Sequence, residues 1–340
     1  MAGSTLFSKI VVQTEPSYGT GDAVNVAGYG RRLLVSPTGV INFGETYDIG
    51  EDRTVGLRTP VISGRVTLTE TAPEVTLDAP ALPTDELPIY LSAIEEITPV
   101  DNEDGSWTWL FAPGQDETAT APASLHAIVT DGNQGWHAKG ILPTSLTLSA
   151  ESGGLTSLGF SGFAKTVTTT ASVPSVGLPS VTPRSIAGRV WTAYTDTDFP
   201  TTGGTAFTHL YDWSLELSSG LAPIFSQVGA TTNAGYNQFG GPFGGTLSLT
   251  VASNAAAIDE LVSKRGQTIY FRLHWADAGS PAHSADIRLA AIVKSVEPIS
   301  GDVDGLTTYA IEATLAYDTT AEKVIEIEVV NQLSSLPFPD

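Results

Sequence analysis

Apolar and polar residues alternate along much of the chain. Val66 and Leu68 alternate with Arg65, Thr67 and Thr69, and Trp213, Leu215 and Leu217 alternate with Asp212, Ser214, Glu216 and Ser218. The same rhythm recurs at Ile269, Phe271, Leu273 and Trp275, and at Tyr309, Ile311, Ala313, Leu315 and Tyr317, where Glu312 takes the polar phase. It returns at Ile325, Ile327 and Val329, with Glu326 and Glu328 between them. Successive side chains of a strand point to opposite faces, so each run predicts a strand with one buried and one wet face. Antiparallel sheets with one solvated side read this way.

Only two stretches carry helical spacing. Leu87, Leu91, Ile94 and Ile97 predict a helix over residues 85–97. Thr84 is its expected N-cap, Asp85 and Glu86 suit the positive end of its dipole, and Pro88 falls in the first turn, where its missing N–H is tolerated. Ile258, Leu261 and Val262 predict a second helix over residues 255–265, capped by Asn254 and stopped by Gly266.

Residues 166–185 hold Pro174, Pro179 and Pro183 among Thr, Ser and Val, and predict a linker. It divides the chain into two β domains, residues 1–165 and 186–340, each with one helix. Their order is alike: helix, strand (125–130 against 269–275), turn, a strand that runs on past a break (136–150 against 285–297), a Gly turn (152–154 against 300–302), and a last strand (156–164 against 307–317). Leu125 to Leu273 and Gly153 to Gly301 are both offset by 148 (273 − 125 and 301 − 153). The order reads as a diverged tandem duplication, or as two unrelated β segments sharing common turns. The first half inserts residues 98–122 and lacks a clear counterpart of the final strand, 323–330.

Charge narrows the function classes. Lys and Arg total 16 against 37 Asp and Glu, a net charge of −21. Gripping phosphates needs clustered cations, so specific nucleic-acid binding is not expected. The same charge either keeps a surface from sticking to passing DNA or simply confers solubility. Cysteine is absent, which removes disulfides, thiolate nucleophiles and Cys-based zinc sites. The first ten residues have no basic region followed by an apolar run, and no apolar stretch approaches the ~20 residues that span a bilayer. Neither a signal peptide nor membrane insertion is expected.

Catalytic chemistry finds little support. His126 and His137 fall in neighbouring predicted strands, as do His274 and His283, but two histidines without a third ligand read as strand-surface residues rather than a metal site. The acidic turns at 101–105 and 302–305 suit either calcium or ordinary hairpin geometry. No GxSxG, P-loop, dinucleotide fingerprint or paired-carboxylate signature occurs, so no catalytic residue, metal or cofactor is assigned. Trp107, Trp109, Trp213 and Trp275 take the apolar phase of their strands, which predicts core positions rather than a sugar platform.

Two long Gly-rich stretches remain, residues 35–60 with Ile41, Phe43, Tyr47 and Ile49, and residues 219–245 with Phe225, Tyr236, Phe239 and Phe243. Such loops are either arms that dock on a neighbouring subunit or hairpins folded back on their own domain.

Several segments together carry a resemblance. Pro122-Ala123-Ser124-Leu125 leads to Asp131-Gly132-Asn133-Gln134-Gly135, then Ser145-Leu146-Thr147-Leu148-Ser149 and a Gly turn. The second half has Gly244-Gly245-Thr246-Leu247-Ser248-Leu249 before its helix, and closes with Tyr317-Asp318 and a last strand ending at Asn331. Over residues 60–332 this succession resembles tail tube (major tail) proteins of phages with long non-contractile tails, in the version where the tube fold occurs twice per chain. The resemblance implies an all-β chain of two tandem β-sandwich domains, each with a flanking helix and a long hairpin loop. Six such folds would make a ring, here a trimer with pseudo-six-fold symmetry, and rings would stack into a tube that DNA crosses without specific binding. It implies no enzymatic activity and no cofactor. Partners would be the chain itself and the tape measure, tail terminator and tail tip proteins, with assembly in the host cytoplasm and a final place in the virion.

On this reading Glu216, Glu312, Glu326 and Glu328 are the candidates to face the channel, at least two of them and Glu312 first, or else they face solvent outside and only support solubility. Ile41, Phe43, Tyr47, Phe225, Tyr236 and Phe239 are expected to contact an adjacent ring. Two other classes stay open. A secreted or surface β-sandwich binding module, adhesin or carbohydrate-binding, would carry a leader or exposed aromatics. An all-β hydrolase would need a Ser/His/Asp or carboxylate constellation.

Overall fold

A computed structural model of the chain describes residues 9–22, 31–36, 40–49, 66–71, 73–116, 119–130, 134–170, 184–199, 203–225, 235–252, 255–277, 283–303 and 306–337. These are mostly strand, with two short helices. The first half contains β1 (Lys9–Thr14), β2 (Arg31–Leu33), β3 (Ile41–Asn42), β4 (Glu45–Ile49), β5 (Val66–Thr71), β6 (Glu74–Ala79), α1 (Leu87–Ser92), β7 (Val100–Asp101), β8 (Trp107–Phe111), β9 (Leu125–Thr130), β10 (Gly135–Glu151), β11 (Ser157–Phe163) and β12 (Thr166–Thr170). The second contains β13 (Thr192–Asp196), β14 (Thr205–Ala206), β15 (Leu210–Ser218), β16 (Ala222–Ile224), β17 (Gly235–Asn237), β18 (Gly244–Ala252), α2 (Ala255–Ser263), β19 (Thr268–Asp277), β20 (His283–Val303), β21 (Leu306–Leu315) and β22 (Ile325–Asn331).

Two long strands organise everything. The first part of β10 pairs with β9 and β12, and its second part with β11 and β15. β20 behaves alike, pairing first with β19 and β22 and then with β21. Each strand therefore belongs to two walls, and its bend needs a local break. In β10 the break is Gly140, whose φ of +65° lies between the register positions Ala138 and Ile141. A side chain there would meet Lys165 and Tyr18, so glycine is required on both counts. In β20 bulges fall between Val293 and Ser295 and between Pro298 and Gly301.

The pairings of the two halves correspond. β1 pairs β2 and β9, as β13 pairs β14 and β19. β6 lies between β3 and β11, as β18 lies between β15 and β21. A two-stranded hairpin interrupts each half at the same place, β4–β5 after β3 and β16–β17 after β15. The insertion expected at 98–122 is the β7–β8 hairpin, and β8 crosses over to pair with β22 of the other half.

The linker expected at 166–185 is corrected at its start. Residues 166–170 form β12, which pairs with Gly135–Lys139 of β10 as β22 pairs with β20. This is also the counterpart of the final strand that seemed missing from the first half. Thr166-Val167-Thr168-Thr169-Thr170 has no apolar phase, so its sequence gives no alternation to read; residues 171–183 lie outside the described set. Residues 300–302, expected as a turn, run within β20, whose pairing continues to Val303↔Leu306.

One hydrophobic core passes through both halves, joining Leu77, Trp109, Leu146 and Phe160 to Trp213, Leu249, Phe271 and Ile327. Helix α1 lies inside it, all six residues buried, instead of on an outer face. It is shorter than the spacing predicts. Glu86, not Thr84, is the N-cap, and no side chain caps it; the Thr84 hydroxyl is buried without a hydrogen-bond partner. Helix α2 keeps Ile258 and Leu261 buried but leaves Val262 exposed, and Gly266 follows it with φ +76°. Asn254 lies outside the described residues.

The start of α1 carries an unusual load of buried polarity. Asp85 and Glu86 are fully buried, with Arg31 4.0 Å from Asp85 and the Leu34 N–H donating to Glu86. Burial pushes the Glu86 carboxyl up to about 7, against the Leu34 hydrogen bond and the Arg31 charge, and burial pushes the Tyr90 hydroxyl well above its ordinary value.

Candidate functional site

The feature that unites the halves is a wide sheet. β10 and β15 pair from Ser145↔Ser218 to Glu151↔Asp212, so the order β3-β6-β11-β10-β15-β18-β21-β20 runs unbroken across the chain. Its inner phase is core: Leu77, Phe160, Leu148, Leu215, Leu247 and Ala313 are all buried. Its outer phase can be read row by row, because directly paired residues share a face. One row is Ser157, Ser149, Ser214, Ser248, Glu312 and Ser295. The next is Asp78, Gly159, Thr147, Glu216, Thr246, Thr314 and Ile292. A third is Thr76, Ser161, Ser145 and Ser218.

This face is thus a carpet of short hydroxyls with scattered acids. Glu74, Asp78, Glu151, Asp212, Glu216, Glu297 and Glu312 lie on it, and Glu151 stands directly opposite Asp212. Its one cation among the described residues is Lys294, 2.7 Å from Glu312. Seven carboxylates against one ammonium make the wall strongly electronegative, and the hydroxyls offer no apolar grip. The alternation identified Glu216 and Glu312; the hydroxyl rows were missed, although Ser and Thr at most polar positions of β10, β15 and β18 were the available signal.

Glu326 and Glu328 do not share this wall. They lie on β22, beside the first part of β20, where the opposing strands supply cations. Arg272 makes a bidentate pair with Asp286 at 2.6 to 3.0 Å, and Arg288 reaches Glu326 at 2.5 Å, Asp286 at 3.3 Å and Glu328 at 3.4 Å. Lys323 also donates to Glu326, and His274 lies 3.3 Å from Asp286. Glu326 is only 7% exposed, so the polar phase of β22 is covered here by paired charges instead of lying open. Burial alone would raise the Asp286 and Glu326 carboxyls. Hydrogen bonds from Arg272 to Asp286 and from Lys323 and Arg288 to Glu326 outweigh it and hold both below the usual range.

The two hairpins leave the sheet at one end. β4–β5 connects β3 to β6, and β16–β17 connects Ser218 of β15 to Gly244 of β18. Ile41 is half-buried against the core, and with Val40, Phe43, Val129 and Trp136 it lines an apolar groove of about 220 Å³. Tyr47 is described only through its backbone pairing with Leu68. Tyr236 is edge-on to Tyr18, centroids 5.1 Å apart, and packs near Leu142, Phe163 and Leu221. Gln238 donates to the Thr120 carbonyl at 2.9 Å. The base of this hairpin is therefore fastened to its own chain, with Ile41 and Tyr236 engaged internally, whereas Phe43, Phe225 and Phe239 stand exposed.

Of the four histidines read as strand-surface residues, His126, His137 and His283 are buried, and His274 is half-buried. His126 Nδ1 lies 3.2 Å from His137 Nε2, and Gln13 Oε1 is 3.0 Å from His126 Nε2. Burial first, and then their neighbouring charges, lower them to about 3 and about 4, so both are neutral at physiological pH. Among the described residues no group of three or more His, Cys, Asp and Glu is placed to hold a metal. The 101–105 turn is closed by its own side chains, Asp101 accepting from the Glu103 N–H and Asp104 from the Ser106 N–H and hydroxyl. No described helix is long and apolar enough to cross a membrane.

No protein-family model matches the sequence, and no curated protein matches it.

Proposed function

We propose that the chain is a structural subunit of a phage tail tube, built from two tandem tube-type β-sandwich domains by duplication. The observation that carries this reading is the β10–β15 joint. It welds four strands of one half to four of the other, with one face core and the other hydroxyl and acid. The sheet then ends at β3, whose approach at Ser36 and Val40 is also bonded to β6, on one side and at the second part of β20 on the other, with no further strand paired to either among the described residues. The corresponding pairings of the halves favour a repeat in which copies join as the halves already do. Open sheet edges invite such pairing, and a closed ring removes them.

Three chains would bring 3 × 8 = 24 strands. At about 4.8 Å between strands, 24 strands along the axis would close a wall about 37 Å across, and tilt would widen it. The hydroxyl and acid face would line that channel. Like charge repels a polyanion over roughly 8–10 Å at ordinary salt, which would hold DNA off the wall. In this arrangement Glu216 and Glu312 are the lumen glutamates, and Glu326 and Glu328 are not. DNA would pass without specific binding, and the tape measure, terminator and tip proteins would be the remaining partners within the virion.

Negative-stain microscopy of the concentrated protein tests the reading. Stacked rings with three-fold symmetry and a six-lobed outline are expected. Particles that stay monomeric at every concentration would sink it and favour a β-sandwich binding module instead. A second measurement addresses the lining. A Glu216→Lys/Thr147→Lys/Thr246→Lys variant should assemble normally yet retain duplex DNA on a column at low salt, while the wild-type tube lets it through.

A further inference from the structure

The chain leaves β1 at Thr14 and turns back over β9 and β10. One side chain fastens this turn. The Glu15 carboxylate, 5% exposed, accepts from the Gly19 N–H at 2.7 Å, the Gly21 N–H at 3.1 Å, the Gly140 N–H at 3.0 Å and the Ser124 hydroxyl at 2.7 Å. Gly21 is thereby pressed onto His126. A Cβ added there would come within 2.2 Å of the imidazole, so the position demands glycine for space. Tyr18 reaches the other half of the molecule. It stands edge-on to Tyr236 of β17 at 5.1 Å, with Lys165 Nζ 5.3 Å from its ring centroid.

Beneath residues 15–22 lies a histidine pair with room for few protons. Gln13 Oε1 accepts from His126 Nε2, which places a proton on that nitrogen. His126 Nδ1 then accepts from His137 Nε2, 3.2 Å away. The gap between these two ring nitrogens holds one proton, and charging both rings would set N–H against N–H. The charged groups around the pair are Asp22, beyond Gly21, and Lys139 on β10. Glu15 and Lys165 stand at its margin, and the strands on either side present uncharged Gln13 and Thr168.

We propose that residues 15–22 are an acid-opened strap, which closes over the neutral His126–His137 pair and lifts when the pair takes up protons, withdrawing Tyr18 from the β16–β17 hairpin. The device lies within one chain and does not depend on the tube reading. Its sign follows from the closed form. Burial first, and then neighbouring positive charge, holds His126 at about 3 and His137 at about 4, against an ordinary value of 6.5. Groups held low support closure above 6.5 and lose that support as pH falls toward 4. At pH 5 each ring that becomes ordinary on uncovering favours opening roughly thirtyfold, and the two together on the order of a thousandfold. Glu15 works the other way. Burial raises its carboxyl, so the closed strap holds that proton and resists opening as pH nears the carboxylate range.

Amide hydrogen exchange of the whole chain, corrected for the intrinsic effect of pH, tests the strap. From pH 7.5 to pH 5, protection over residues 15–22 and at Gly140 should fall by between about tenfold and about a thousandfold, while β15 and β18 keep theirs. Gly21→Ala, whose methyl meets His126, should show at pH 7.5 the low protection that wild type shows at pH 5. His126→Gln/His137→Gln should leave protection flat across the range. Ring-proton NMR of the wild type gives a reading that needs no variant: both rings should stay neutral until the amides open, then titrate together. Wild-type protection indifferent to pH overturns the proposal, as does a fall that persists in the double variant or extends equally to β15 and β18. Rings that titrate near 6.5 beneath protected amides overturn it too, as does a Gly21→Ala strap as protected as wild type. If the double variant does not fold, the wild-type exchange and ring titrations decide.

Discussion

Replacing Arg288 by methionine is expected to cost the fold about 3–5 kcal/mol at pH 7, the usual penalty for stranding buried charge by removing one partner. The Arg288 side chain is only 12% exposed and is shared by Asp286, Glu326 and Glu328. Without it Asp286 keeps Arg272, and Glu326 keeps the more exposed Lys323. The loss should shrink on acidification. In the wild type the Asp286 and Glu326 carboxyls are held low, so their contribution is full above about pH 4–4.5, the unfolded values, and fades as pH falls through the folded ones. In the variant these acids take up protons more readily, and the deficit at pH 4 should be well below that at pH 7. Urea midpoints at the two pH values check this. A loss under about 1 kcal/mol, or one indifferent to pH, would show that the network is a solvated surface cluster.

Glu86→Gln should act in the opposite direction. The native carboxyl titrates at about 7 against an ordinary value of 4.5, because it is buried. Between those values the folded chain holds a proton that the unfolded chain releases. The stabilisation from the protonated form is therefore complete below about pH 4.5 and lost as pH rises through 7. At pH 8 the buried anion costs on the order of 3 kcal/mol, from a shift of two to three units at 1.36 kcal/mol each. Glutamine keeps the acceptor for the Leu34 N–H and carries no charge. The variant should match wild type at pH 4 and exceed it by up to about 3 kcal/mol at pH 8, read as Tm across the range. Equal stability at pH 8 would mean that the ionised carboxylate is solvated in the native state.

How far these features were legible differs from residue to residue. β19 and β22 were readable almost to their ends, since Ile269 to Trp275 and Ile325 to Val329 keep strict alternation and one side of each is buried. The break and continuation of β10 and β20 were also visible. β12 was not, because a threonine run lacks the contrast on which periodicity depends. The Thr84 cap failed because the helix starts two residues later inside the core, where tertiary packing overrides the local capping preference. Glu326 and Glu216 look identical by phase, yet one is buried among cations and the other faces a hydroxyl wall.

By itself, then, the sequence determined that the chain is β, where many of its strands lie and which phase of each is apolar. These are local properties, set by the two-residue period of the backbone and by turn chemistry. Only the tertiary structure decided that β10 meets β15, that β8 pairs with β22, and that the polar phases of eight strands form one wall. Each of these depends on which strand lies beside which and in what register. That choice is made by a shared core and by long-range pairing, and no window along the chain contains it.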